Sequence, residues 1–162
     1  MVIHSAVDLA ELETRVGQVP DPEVPVLTIA DLGVLRDVAE EDGRIVVTIT
    51  PTYSGCPAMH HIEDRITEVL AAAEVDGDVR VTFSPAWTTD WISPEGRRKL
   101  SEYGIAPPRT TEVALTIGRR QIACPRCDST NTETISEFGS TACKALMRCL
   151  DCREPFDHFK EL

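Results

Sequence analysis

The chain of 162 residues has no apolar run approaching the roughly 20 residues needed to cross a bilayer. Its first residues, Met1–Ala6, lack the charged start and apolar core of a signal peptide. These absences argue against a membrane protein and against export, so a cytoplasmic location is expected. In a reducing compartment, the six cysteines are better interpreted as thiols and metal ligands than as disulfides.

Basic residues are scarce, with 16 Lys and Arg against 27 Asp and Glu and a net charge of −11. Residues 1–110 hold 9 basic and 19 acidic residues, whereas residues 111–162 hold 7 and 8. An acidic surface repels phosphate backbones and anionic lipids, so neither nucleic acid nor a membrane is expected as a partner. A basic protein partner fits better, and simple solubility explains the same balance.

Four cysteines near the C-terminus form two matched pairs. Cys124 and Cys127 make one Cys-x-x-Cys motif, Cys149 and Cys152 make the other, and 21 residues separate the two motifs. Zn²⁺ takes four ligands in a tetrahedron, and two such pairs supply them. The spacing predicts structural zinc rather than accidental pairs or a redox dithiol. A closed four-thiolate site has no open position for a substrate. The motif therefore indicates how the C-terminal segment folds but does not indicate an activity.

The pattern of elements favours an α/β (α+β) fold, in which a small mixed sheet with flanking helices precedes a zinc-ribbon-like module. Helices are predicted over 6–15 with Ser5 as N-cap, over 57–74, and from Ser93 to Tyr103. Strands are predicted over 32–38 and 44–50 as a hairpin, and over 79–83 after a turn at Asp76-Gly77.

Short strands are predicted in the tail over 112–117, 132–136, 145–148 and 154–159. Pro107-Pro108 precedes them and is the predicted linker. The sequence therefore predicts two domains, residues 1–106 and residues 111–162.

Cys56 stands apart, in Thr50-Pro-Thr-Tyr-Ser-Gly-Cys-Pro57 at a predicted strand-to-helix junction. A helix N-terminus favours an anion and therefore a thiolate. A buried, inert cysteine is the alternative, although the neighbouring hydroxyls favour a polar pocket. His60, one helical turn further on, suggests a nucleophilic Cys–His pair. The sequence shows no oxyanion hole or orienting group, so surface histidines at His60 and His61 are the plainer interpretation.

Three further features leave alternatives open. Asp31, two residues before Gly33, either braces a loop or neighbours Cys56 in a ligand site. Trp87 and Trp91 form either a plug in the core or an exposed aromatic anchor for a partner. Cys143, which lies between the two Cys-x-x-Cys motifs, is surplus to a four-coordinate site. It is buried, or it is an exposed thiol, or it joins Cys56 in holding a metal.

Several segments resemble the domain shared by SufT-type iron–sulfur assembly proteins and the eukaryotic cytosolic iron–sulfur targeting factor. These segments are Asp21–Pro25, Asp31–Gly33, Thr50–Pro57 and Trp87–Trp91. Glu137–Leu146, flanked by both cysteine pairs, looks like the phenylacetate-degradation protein D (PaaD) family. The resemblance covers nearly the whole chain.

The resemblance implies an accessory protein that is not itself an enzyme, encoded with the multicomponent epoxidase that attacks ring carbons 1 and 2 of phenylacetyl-CoA. It would assist iron–sulfur cluster assembly, with the reductase component of the epoxidase as its partner. The family's cysteine carries over to Cys56, which would transiently hold iron or a cluster, with Asp31 and Thr52 shaping its pocket. A single cysteine is a poor ligand set, so other ligands would come from a second copy in a homodimer, from Cys143 or from the client.

Other functions remain open at this point. The chain lacks the Glu-x-x-His motifs of helical di-iron oxygenases, so it is not expected to be the oxygenase itself. A small structural subunit of the epoxidase and an enzyme with Cys56 as nucleophile and His60 as base are the alternatives. A nucleic-acid-binding ribbon is a further class, against which the acidic balance argues.

Overall fold

A computed structural model describes residues 8–109 and 121–162. These residues form two compact units, an N-terminal unit that ends at Trp87 and a C-terminal unit that begins at Thr88. Both combine helix with a small sheet, which confirms the predicted α+β class. Within the described ranges, no helix combines the length and the apolar character that a bilayer span requires.

The first helix, α1, spans Leu9–Gly17 and begins later than predicted. The Asp8 carboxylate accepts hydrogen bonds from the backbone N–H groups of Ala10 and Glu11, at 3.0 and 3.3 Å. A side chain that satisfies these exposed donors fixes where a helix begins, so Asp8 is the N-cap. The predicted N-cap, Ser5, lies outside the described residues. Leu12 and Val16 are buried and form the inner face of α1.

The N-terminal sheet has three strands, β1 (Leu35–Glu41), β2 (Arg44–Ile49) and β3 (Gly77–Val81), arranged side by side in that order. Strands β1 and β2 pair antiparallel, which confirms the predicted hairpin. Asp42 and Gly43 both adopt positive φ, as a tight two-residue hairpin turn requires. Strand β3 pairs parallel with β2, so the sheet is mixed. The connection between these parallel strands contains helix α2, which spans Ala58–Ala72.

The end of α2 and the start of β3 differ from the sequence prediction. The chain leaves the helix at Glu74, which has a φ of 55°, and β3 spans Gly77–Val81. Gly77 is therefore a strand residue and not part of a turn. A Cβ atom at Gly77 would lie 2.6 Å from the carbonyl oxygen of Ile45 on β2. Because it has no side chain, Gly77 allows β2 and β3 to approach closely, which is a common reason for glycine within a strand.

The C-terminal unit opens with a short 3₁₀ turn at Thr89–Trp91 and the helix α3 at Pro94–Tyr103. The Ser93 hydroxyl accepts a hydrogen bond from Gly96 N–H at 2.9 Å, which confirms the predicted cap. A four-stranded sheet of order β4-β7-β6-β5 follows. Its strands are β4 (Ile105–Ala106), β5 (Thr132–Ser136), β6 (Lys144–Cys149) and β7 (Pro155–Phe159).

The predicted strand over 112–117 lies outside the described residues. The predicted domain boundary, after residue 106, lies within the C-terminal unit. There β4 pairs parallel with β7, with Ile105 opposite Asp157 and Ala106 opposite His158. These backbone hydrogen bonds join the segment before Pro107-Pro108 to the C-terminal sheet. The division into domains 1–106 and 111–162 stays a prediction.

Candidate functional site

Two tight turns at one end of the C-terminal sheet carry the four paired cysteines. The first, Cys124–Cys127, is closed by a hydrogen bond from Cys124 N–H to Ser129 O at 2.9 Å. In the second, Cys149 ends β6, and its N–H donates to Glu154 O at 3.0 Å. Asp128 and Arg153, the residues after each pair, both have positive φ, at 59° and 68°. The two turns therefore share one backbone form, which points both sulfurs of a pair to the same side.

The four sulfur atoms meet as the sequence predicted. Cys124 Sγ lies 3.7 Å from Cys152 Sγ, and Cys127 Sγ lies 3.6 Å from Cys149 Sγ. All four sulfurs lie within 4.8 Å of one another. Four sulfurs bound tetrahedrally at 2.3 Å would be about 3.8 Å apart. The donor set therefore fits one four-coordinate metal ion that prefers thiolate.

A backbone N–H group stabilises the thiolate form of one cysteine of this group, and thiolate is the form that binds a metal ion. The N–H of Cys152 donates to Cys149 Sγ at 3.5 Å and is the main cause that lowers the pKa of Cys149 to about 7. Asp151, between these cysteines, accepts hydrogen bonds from the Ser129 hydroxyl and from Asn131 Nδ2, and these contacts lower its pKa. Asp151 thereby joins the second turn to the segment that follows the first.

Cys143 does not belong to the four-sulfur group. It is 4% exposed, and its Sγ lies 3.0 Å from the Thr141 hydroxyl oxygen. Of the alternatives that the sequence left open, the buried thiol is the one observed, and the exposed thiol is wrong. The suggestion that Cys143 joins Cys56 in holding a metal stays a prediction.

Cys56 lies in the turn between β2 and α2 and is half-buried. Its N–H donates to Tyr53 O at 3.2 Å, and its carbonyl oxygen accepts from Met59 N–H at 3.4 Å. Pro57 occupies the N-cap position of α2, without a side-chain cap and without an acidic residue in the first turn. The cysteine therefore precedes a helix N-terminus, as the sequence predicted, and the first turn of that helix contains no acidic residue.

Strand pairing brings the loop that precedes β1, which contains Asp31, and the loop that follows β2, which contains Thr52 and Cys56, to one edge of the N-terminal sheet. Leu35 pairs with Ile49, and Thr50 N–H donates to Val34 O at 2.9 Å. The start of β1 and the end of β2 therefore meet at the edge where α2 begins. We call this edge, formed by residues 31–34, 50–57 and 82–84, the Cys56 edge.

Asp31 braces the loop that enters β1. Its carboxylate accepts from Thr28 N–H at 3.0 Å, while its own N–H donates to the Thr28 hydroxyl at 3.1 Å. This reciprocal pair confirms the bracing role that the sequence proposed. Gly33 lies two residues further on, with a φ of 69°. The roles of Asp31 and Thr52 toward a ligand at Cys56 stay predictions.

One of the hydroxyls that the sequence places near Cys56, that of Thr50, is buried at the Cys56 edge. Thr50 is 1% exposed, and its Oγ1 has no hydrogen-bond partner within residues 8–109 and 121–162. A buried hydroxyl normally finds a partner, so this one is unusual. Sequence pattern shows that Thr50 ends a strand but cannot show that its hydroxyl is left unpaired.

The two histidines of α2 lie on the surface, whereas one of the two tryptophans lies in the core. His60 and His61 are exposed on α2, in agreement with the plainer surface interpretation. Trp87 is buried, and its Nε1–H donates to Leu32 O at 2.9 Å, so it is a core plug. Trp91 is half-buried. The exposed-anchor alternative is therefore wrong for Trp87.

Both units match families of known proteins. Residues 9–83 match the model of the iron–sulfur cluster assembly protein family, and residues 108–160 match that of the PaaD zinc beta ribbon domain. An Escherichia coli protein, named as the D component of a "Putative 1,2-phenylacetyl-CoA epoxidase", is 49% identical over 151 residues, 93% of this chain and 91% of that protein.

Two further relatives resemble the N-terminal part. The Bacillus subtilis Fe-S protein maturation auxiliary factor YitW is 42% identical over 79 residues, 47% of this chain and 76% of that protein. The crystal structure of a domain of unknown function from Bacillus anthracis is 31% identical, with a TM-score of 0.52, over 57% of this chain and 90% of that one.

Proposed function

Since the chain belongs to the phenylacetate-degradation protein D (PaaD) family, we propose that it is an accessory factor that assists iron–sulfur cluster assembly for phenylacetate catabolism. Two kinds of relative support this function. One carries the name of an epoxidase component, and the others are named as Fe-S protein maturation factors. An accessory role in maturation accounts for both names.

The observation that carries the proposal is the placement of Cys56. It lies in a half-buried turn before a helix N-terminus that no side chain caps. Such a position favours a thiolate within reach of a protein partner. The cargo is iron or an iron–sulfur cluster, and delivery is ligand exchange. The bond from iron to Cys56 sulfur breaks as a bond to a client thiolate forms, with no change in oxidation state.

Asp31 and Thr52 shape the surroundings of this thiolate in the proposed function. The Asp31 carboxylate is already engaged with Thr28, so its contribution is to hold the loop of the Cys56 edge in place. Further ligands for the cargo come from a second copy of the chain or from the client, since one thiolate cannot hold a cluster alone.

The resident metal of the C-terminal unit is Zn²⁺ in this proposal, held by Cys124, Cys127, Cys149 and Cys152. Sulfur separations of 3.6 and 3.7 Å support a tetrahedral ion, and zinc suits a closed four-thiolate site. When bound, it stabilises the fold of the ribbon. With four protein ligands it leaves no position for a substrate, which agrees with a structural role rather than catalysis.

The client in this proposal is the iron–sulfur reductase component of the epoxidase, and the encounter takes place in the cytoplasm. The name of the Escherichia coli relative supports association with that complex. The resemblance of residues 9–83 to an iron–sulfur assembly family supports a client that carries a cluster.

The test is anaerobic transfer from reconstituted protein to the metal-free reductase component. Cys56→Ser is compared with Cys143→Ser, the matched change at a buried thiol outside the four-sulfur group. We expect Cys56→Ser to lose labile iron and at least tenfold in transfer rate, while zinc stays at one ion per chain. Transfer at the wild-type rate by Cys56→Ser would contradict the proposal.

Two alternative functions predict different results when the same purified protein is assayed. A structural component of the epoxidase would co-purify with the oxygenase in a stable, stoichiometric complex, and Cys56→Ser would not affect epoxidation. An enzyme with Cys56 as nucleophile would form product without any client. The exposure of His60 gives no support to a Cys56–His60 catalytic pair.

A further inference from the structure

The segments that build the Cys56 edge hold a single charged residue, Asp31, and its side chain is buried. From Ile45 to Ile62, the sequence contains no Asp, Glu, Lys or Arg, and the same holds from Val81 to Trp87. This is unusual in a chain in which 27% of residues are charged and in which residues 1–110 carry most of the net charge of −11. The acidic surface of the N-terminal unit is therefore interrupted at the Cys56 edge.

An exposed aromatic side chain lies at the Cys56 edge. Phe83 follows the end of β3 and is 59% exposed. Thr82 N–H donates to Ile49 O at 2.9 Å, so the chain continues beside the end of β2 before reaching Phe83. Phe83 and the Cys56 turn therefore lie at the same edge of the sheet.

The backbone around Phe83 is held in place. The Thr82 hydroxyl donates to Ser84 O at 3.1 Å and accepts from Ser84 N–H at 3.3 Å. Trp87, a few residues further on, is fixed in the core through its bond to Leu32 O. A large aromatic ring on a restrained loop loses little conformational entropy on binding, which is why such rings are common anchors in interfaces.

From these observations we propose that the Cys56 edge is the docking surface for the client, with Phe83 as its apolar anchor. The inference rests on the proposed function, because a protein that receives cargo from Cys56 must approach this edge. The partner that fits is a metal-free iron–sulfur protein with an uncharged surface and an apolar pocket beside its cluster cysteines. Docking through such a surface depends little on salt, whereas docking of a basic protein on the acidic surface weakens steeply as salt rises.

The test measures the dissociation constant between the full-length chain and the metal-free reductase component by calorimetry, in low and in high salt. Phe83→Ser is compared with Phe138→Ser, a control at a 69% exposed phenylalanine of the C-terminal unit. We expect Phe83→Ser to raise the dissociation constant roughly tenfold or more, with Phe138→Ser close to wild type. Phe83→Glu, which places an exposed charge on the Cys56 edge, should weaken binding at least as much.

Transfer assays separate this inference from the proposed function. With client in large excess, Phe83→Ser should recover the wild-type transfer rate, whereas Cys56→Ser should bind the client normally and fail to transfer. Wild-type affinity in both Phe83 variants would overturn the docking surface, even where Cys56→Ser fails to transfer. No binding by the wild type, or binding lost at high salt, would overturn it as well.

Discussion

The indole Nε1–H of Trp87 donates a hydrogen bond to the carbonyl oxygen of Leu32, 2.9 Å away and 55 positions earlier in the chain. This bond fastens the segment after β3 to the loop that precedes β1. Both belong to the N-terminal unit, and both border the Cys56 edge.

Replacing Trp87 with Phe should destabilise the protein because a buried carbonyl loses its donor. We expect a fall of about 1–3 kcal/mol in the free energy of unfolding, measured by urea denaturation. Trp91→Phe is the control, since Trp91 is only half-buried and should change less. Equal losses in the two variants would contradict the importance of the Leu32 bond.

Gly77→Ala should destabilise the N-terminal sheet. The added methyl group would lie 2.6 Å from Ile45 O, so β2 and β3 must move apart. The expected cost is about 1–3 kcal/mol in the free energy of unfolding. At Gly55, the nearest atom to an added methyl group is 3.9 Å away, so Gly55→Ala should stay within about 0.5 kcal/mol of wild type. A neutral Gly77→Ala would show that the strands can separate freely.

Gly77 was assigned to a turn because Asp76-Gly77 has the composition of one, and composition alone does not reveal how closely a neighbouring strand approaches. The hairpin of β1 and β2, the cap at Ser93 and the cysteine pairs were predictable because each depends on residues close in sequence. The bond of Trp87 to Leu32 joins residues 55 positions apart, and the lack of a partner for the Thr50 hydroxyl among the described residues depends on packing, so neither follows from a local pattern.

His158 should make stability depend on pH. It is buried on β7, its Nδ1 lies 3.1 Å from Ala106 O, and burial is the main cause that lowers its pKa below the ordinary value of 6.5. The charge of Glu161 raises the pKa of His158, whereas the charge of Arg109 lowers it, as burial does. Because the unfolded chain binds the proton more tightly, stability is fully present above pH 6.5 and falls as the pH drops toward the folded pKa.

His158→Asn should flatten this dependence, since asparagine offers a hydrogen-bond donor but does not titrate. The measurement is the free energy of unfolding between pH 7.5 and pH 5.5, with excess zinc present throughout. A single group contributes a slope of at most about 1.4 kcal/mol per pH unit. An identical slope in His158→Asn would assign the pH dependence to other groups.

Removing one sulfur of the four-cysteine group should release the metal. Cys149→Ser is expected to lower bound zinc from one ion per chain toward zero and to unfold the C-terminal unit, because metal binding supplies its folding energy. Cys143→Ser should keep the metal, since its sulfur contacts Thr141 and lies outside the group. Metal analysis and circular dichroism measure both effects. Full zinc content in Cys149→Ser would contradict the assignment.

Cys149 also ends β6, the strand that pairs with β5 on one side and with β7 on the other. The ligand turn is therefore continuous with an inner strand of the four-stranded sheet. Removal of the ion would release the end of β6. Strands β5 and β7 pair directly with β6, and β4 is joined to it through β7. Amide protons across the C-terminal sheet should then exchange with solvent together, as one cooperative unit, rather than fraying strand by strand from the outside.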